Sequence, residues 1–147
     1  MVREVPERWK AIGFASVVLA AVAALWVTGS ALNTPPSSRT VQDVTLSLEG
    51  AGWTTVYHAA QTGNSTAFSI LLEAGDRMGF RVTWIQYGAP LASVIVDSIN
   101  GTKSGDGGRW WQYWVDGAYG DVGADHKPLA DGSEVLWAFR EYPPREA

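Results

Sequence analysis

Residues 11–32 read AIGFASVVLAAVAALWVTGSAL, a run of 22 positions without a charge. Wound as an α-helix it spans ~33 Å, against a bilayer hydrocarbon core of ~30 Å, so the pattern predicts one membrane crossing. After a polar stretch the periodicity changes. Val44, Leu46 and Leu48 alternate with Thr45, Ser47 and Glu49, the period of a strand with one buried face. Residues 53–60 are rich in β-branched and aromatic side chains and predict a second strand or an irregular edge. Asn64, Ser65 and Thr66 offer oxygens to a helix N-terminus, and Phe68, Leu71, Leu72 and Met78 fall on one face, which predicts a helix over 65–78. Gly79 stands where a left-handed C-terminal residue belongs, while Gly75 inside the helix costs ~1 kcal/mol relative to Ala and is the alternative end, one turn sooner. Strands follow at 80–85, 93–99, 109–115 and 135–140, with Asn100-Gly101 and Asp116-Gly117 as turn pairs. The expectation is an α+β domain with one helix packed on a mainly antiparallel sheet, preceded by a single transmembrane helix.

Charge orients this plan. Arg3, Arg8 and Lys10 precede the apolar run, and only Arg39 follows it closely, which keeps the N-terminus cytoplasmic and places the domain outside the cell membrane. Trp9 and Trp26 lie ~26 Å apart along such a helix, near the two headgroup regions. Gly29-Ser30-Ala31 would suit a signal peptidase, so a cleaved secretory signal is the alternative. The length of the run, and Glu4 and Glu7 within its basic flank, favour an uncleaved signal anchor that contacts membrane lipid through residues 11–32. The organisation is then a cytoplasmic tail at 1–10, the anchor, a stiff proline-containing spacer at 33–40, the domain at 41–142 and a tail at 143–147. From Thr40 onward thirteen acidic residues oppose seven basic ones, a balance that repels phosphate backbones and argues against a nucleic-acid partner.

Composition narrows the chemistry. With 147 residues and no cysteine, the chain excludes a multidomain enzyme, a disulfide framework and thiolate metal sites. Two histidines remain, His58 and His126. Asp121, Asp125 and His126 share one polar loop, but calcium wants ~6–8 oxygen ligands, and the loop reads as a solvated turn without a metal. His58 reads as a strand residue, and no nucleophile, base and orienter stand together in sequence. Neither an enzyme nor a resident cofactor is expected. Asn64 and Asn100 fit the glycosylation pattern, although a helix start and a turn are sufficient reasons for both.

Four segments, STAFSILLEAGDRMGF, VIVDSING, WWQYWVDG and LADGSEVLWAF, together resemble the transcobalamin-like C-terminal domain family, a group with many members labelled only as a domain of unknown function. The resemblance covers roughly residues 41–142. It implies a β-grasp-like fold used to bind soluble ligands, and in vitamin B12 carriers this domain closes over cobalamin. Those carriers hold the other side of the corrin in a large helical barrel, for which this chain has no room. A cobalamin site here would be half a site, completed if at all by a partner chain.

Alternation within 109–115 puts Trp111, Tyr113 and Val115 on one face and Trp110, Gln112 and Trp114 on the other. A sheet covered on one side buries one set and exposes the other unless the loop at 119–127 covers it. The functional version takes Trp110, Trp114 and Tyr119 as facing the ligand, with Trp111 and Tyr113 of the same hairpin also candidates. The expected role is noncovalent binding of a small soluble ligand, cobalamin-like or a glycan. The alternative is an accessory subunit docking by the same strip onto a larger membrane or surface complex.

Overall fold

A computed structural model describes residues 39–142. The expected anchor at 11–32, most of the spacer and the tail at 143–147 lie outside the described residues. Among the described residues no helix is long and apolar enough to cross a membrane.

The chain begins with an antiparallel hairpin, β1 (Val41–Glu49) and β2 (Thr54–Thr62), in the register Leu46 opposite Tyr57 and Leu48 opposite Thr55. Helix α1 (Ala67–Met78) follows. The cap is Thr66: its hydroxyl accepts from Ser69 N at 3.1 Å while Thr66 N donates to Ser69 Oγ at 3.0 Å. This reciprocal box satisfies two donors at the helix start and sets the first turn two residues later than expected. Asn64 instead donates its side-chain amide to Glu73. Gly79 closes the helix in the left-handed region with φ 79°, as its position predicts. Gly75 is required by a close approach, because a side-chain carbon there would lie 2.9 Å from the Phe80 carbonyl oxygen.

Strands β3 (Val82–Gln86), β4 (Val94–Ile99), β5 (Thr102–Lys103), β6 (Arg109–Val115), β7 (Ala118–Tyr119) and β8 (Glu134–Glu141) complete the fold. They do not form the single mainly antiparallel sheet that the sequence suggests. A five-stranded sheet runs β2-β1-β8-β6-β7, and a separate three-stranded sheet runs β3-β4-β5. The first is mixed, since β8 lies parallel to β1, with Leu46 opposite Val135 and Leu48 opposite Trp137. The second separates because β4 and β6 meet through a side chain. Ser104 Oγ donates to Val96 O at 3.1 Å and accepts from Trp111 N at 3.2 Å, taking the place of a direct ladder bond.

The core lies where α1 meets both sheets. Leu46 and Leu48 of β1, Ile70 and Leu71 of α1, Ile99 of β4 and Val135 of β8 are essentially sealed from solvent. Trp137 Nε1 donates to Ala67 O at 3.1 Å and ties the last strand to the first turn of the helix.

Candidate functional site

The Asp116-Gly117 turn has φ of 51° and 79°, the two left-handed residues of a type I′ hairpin, which brings Tyr119 opposite Trp114. The alternation along β6 is kept. Trp111, Tyr113 and Val115 are buried against the core, and Trp110, Gln112 and Trp114 face away. Trp111 packs between Trp53 and Phe139 at ring distances of 5.9 and 5.5 Å and donates Nε1 to Thr102 O. Tyr113 packs on Trp137 and donates its hydroxyl to Val122 O. Burial, then the nearby Asp121 carboxylate, pushes the Tyr113 hydroxyl up to about 12. Of the five sequence candidates, the structure therefore places Trp111 and Tyr113 inside and gathers Trp114 and Tyr119 outside, with Trp110 on the same face of β6.

On that outer face the Trp114 and Tyr119 rings meet edge-on at 5.3 Å. Arg140 of β8 lies over the Trp114 ring and pairs with Glu49 of β1. Trp114, Arg140 and Glu49 wall a shallow depression of about 470 Å³ that reaches Thr45, Ser47 and Leu136. Gln112 sits between the two outer tryptophans in sequence and is buried; its Nε2 donates to Arg140 O and Glu141 O, while its Oε1 is buried without a partner. Both partners of Nε2 are carbonyls, so the amide orientation is determined and the orphan is the acceptor.

The surface continues past the hairpin. Tyr119, Val122 and Ile95 border a second cavity of about 220 Å³ between β4 and β6, with Trp111 and Trp137 also lining it. Ile95 pairs across the strands with Ile85, and both are about half exposed. Sequence reasoning missed Ile85, Ile95 and Val122. The signal for the isoleucines was present, since both have the outward parity of their strands, but only the meeting of the two sheets joins them to Tyr119.

The loop from Asp121 to Lys127 is not the solvated turn its composition suggests. Asp125 Oδ1 accepts from Ser93 Oγ at 2.6 Å and Val94 N at 3.3 Å, and His126 Nε2 lies 2.7 Å from Ala92 O. Lys127 pairs with Asp121 at 2.7 Å, and the Ala124 and Lys127 carbonyls accept from Phe68 N and Ala67 N at the start of α1. Burial alone would raise the Asp125 carboxyl, but the Ser93 and Val94 bonds outweigh it and hold the group below its ordinary value. The loop staples α1 to the β3–β4 connection. Among the described residues no three His, Asp or Glu side chains converge to hold a metal ion. His58 stands exposed on β2 with Nε2 3.9 Å from Asp43.

Residues 64–141 match a family described as a domain of unknown function, DUF4430. The chain belongs to this family. No curated protein matches it. Among solved structures, haptocorrin in complex with Cbi aligns to this DUF4430 chain with a TM-score of 0.54 and 15% identity, over 73% of this chain and 27% of haptocorrin. A Ruminococcus gnavus protein with the provisional description of metal binding aligns with a TM-score of 0.51 and 15% identity, over 68% of this chain and 97% of that protein. At such identity these likenesses concern the fold. The DUF4430 chain spans about a quarter of the length of haptocorrin.

Proposed function

We propose that this chain is a membrane-anchored, extracytoplasmic binding domain that recognises a small soluble ligand, cobalamin-like or a glycan, through the outer face of its aromatic hairpin. The observation that carries this reading is the exposure of Trp110 and Tyr119, at 48% and 42%, beside a partly buried Trp114, in a domain that buries Trp111 and Tyr113 of the same hairpin. Large rings left in water beside a polar-rimmed depression suit noncovalent contact with a flat or apolar surface. Support for a cobalamin-like ligand comes from the haptocorrin fold and from a β-grasp-like plan in which the last strand lies parallel to the first. Such a ligand would be held from one side only, so tight binding would need a second chain to close over it. The role is recognition, with no catalytic step or resident cofactor. The full chain in detergent micelles should retain a member of a cobalamin, cobinamide and glycan panel in equilibrium dialysis, and Trp110→Ala should weaken that retention. Absence of retention for every compound would count against the ligand reading.

A second reading is favoured by the reach of the strip. From Trp114 it passes through Tyr119, Val122 and Ile95 to Ile85, crossing from one sheet to the other. That extent suits an accessory subunit docked on a larger membrane or cell-surface protein. Purification in mild detergent would then yield a stoichiometric companion, and a lone monomer would defeat this version.

A further inference from the structure

Away from the aromatic hairpin, β3 ends the three-stranded sheet, and its outer side meets no other strand among the described residues. Its backbone polarity can be assigned. Arg81 O accepts from Asn100 N at 2.9 Å and Tyr87 N donates to Ser93 O at 2.8 Å, so odd-numbered positions turn their backbone groups toward β4. In an antiparallel ladder the intervening residues point the other way, which leaves the N–H and C=O groups of Val82, Trp84 and Gln86 along the open side.

Beside this edge runs a trough of about 580 Å³ lined by residues of α1, β3 and the connection between them, with none from β4. Leu72, Phe80, Val82 and Trp84 supply its apolar part, about half of the lining, and Gly75 and Gly79 bring no side chain to its wall. Trp84 leans edge-on against Phe68 at 5.3 Å yet remains 45% exposed. Asp76 and Arg81 also line the trough, and neither has an ion-pair partner among the described residues. One carboxylate and one guanidinium balance, so the trough does not select a strongly charged occupant. Along the edge β3 reads VTWIQ, without proline, lysine or an acidic residue, and its pairing with β4 shifts register between Thr83 and Trp84.

We propose that the β3 edge and the α1 trough together bind an extended polypeptide segment of a partner, which adds as a strand to β3 and places every second side chain, apolar in character, against Trp84 and Leu72. A row of main-chain donors and acceptors recognises a main chain, and the apolar side of the adjoining trough recognises alternate side chains. This pairing of features distinguishes an extended peptide from a helix, which keeps its backbone bonds to itself, and from a small molecule, which has no repeat to match the row. The site uses the edge of β3 and the face that carries Trp84, while Ile85 joins the outer strip on the opposite face of the strand.

The test uses the full chain in detergent micelles and a phage-displayed library of short random peptides. Enriched sequences should alternate apolar and polar positions. A synthetic peptide of such a sequence should slow amide hydrogen exchange at Val82, Trp84 and Gln86, with no comparable change at Ile85, whose N–H already faces β4. Gln86→Pro removes an outward N–H without touching the β4 ladder and should weaken binding about tenfold, the effect of one main-chain hydrogen bond. Trp84→Ala should weaken it by at least as much through the trough. The proposal is overturned if nothing enriches over empty micelles, or if enriched peptides bind both variants as tightly as the parent. It is equally overturned if the protected amides lie on the Trp110 face. Concentration-dependent protection of β3 without peptide would assign the edge to a second copy of this chain instead.

Discussion

The guanidinium carbon of Arg140 lies 5.1 Å from the centre of the Trp114 ring while Nη2 donates to Glu49 Oε2 at 2.6 Å. One face of Trp114 is therefore occupied by a cation that is itself held in place from β1, and Tyr119 meets the same ring edge-on. A ligand that stacks on that face of Trp114 must displace Arg140. Arg140→Ala should raise the accessibility of Trp114 to acrylamide in fluorescence quenching, at a stability cost of only ~0.5–1 kcal/mol, because both charged partners are about half exposed. Unchanged quenching would show that the ring is shielded by something other than the guanidinium.

Neighbouring tryptophans of β6 should respond in opposite ways. Trp111→Ala empties a site between Trp53 and Phe139 and should destabilise the domain by ~3–5 kcal/mol in urea unfolding. Trp110→Ala removes a half-exposed ring and should cost less than ~1 kcal/mol. A large loss from Trp110→Ala would mean that the outer ring belongs to the fold rather than to recognition.

At Gly75 two effects oppose each other. Alanine gains ~1 kcal/mol of helix propensity, but its methyl carbon would stand 2.9 Å from the Phe80 carbonyl oxygen, a backbone atom held by the turn into β3. Relief would require α1 and β3 to part, so Gly75→Ala should destabilise by ~1–2 kcal/mol net. A stabilised variant in thermal unfolding would show that the turn yields freely.

Glu73 gathers donors from Thr62, Tyr57 and Asn64 and so clamps α1 to β2 and the turn after it. Burial alone would raise its carboxyl, but these bonds and Arg77 outweigh that effect and hold it below its ordinary value of 4.5. A lowered folded-state value means that the ionised clamp adds stability above the ordinary value and loses it as pH falls through the folded one. Urea midpoints measured from neutral to acidic pH should show this decline. Glu73→Gln should remove its share of the decline and cost ~1–2 kcal/mol at neutral pH, where the ionised acceptor is lost.

The hairpin was legible from its residues. A period of two over 109–115 divides the side chains into Trp111 with Tyr113 and Trp110 with Trp114, and the same division holds in the fold. What the period does not say is which face meets the helix. The helix was legible to within a turn, and its start moved because Thr66 and Ser69 form a reciprocal cap that competes with the oxygens of Asn64 and Ser65. The loop at 121–127 misled, because polar side chains that read as solvated find partners on Ser93, Val94 and Ala92, distant in sequence.

Alternation, turn chemistry and the helix terminus at Gly79 arise from bonds and contacts within a few residues, and on these the amino-acid order was sufficient by itself. The parallel pairing of β8 with β1, the break between β4 and β6 at Ser104, the Arg140 guanidinium over Trp114 and the open edge of β3 depend on segments far apart in the chain. No local pattern encodes such meetings. They are decided when the helix and both sheets bury their apolar faces together, so tertiary packing alone selected which rings were covered and which remain at the surface.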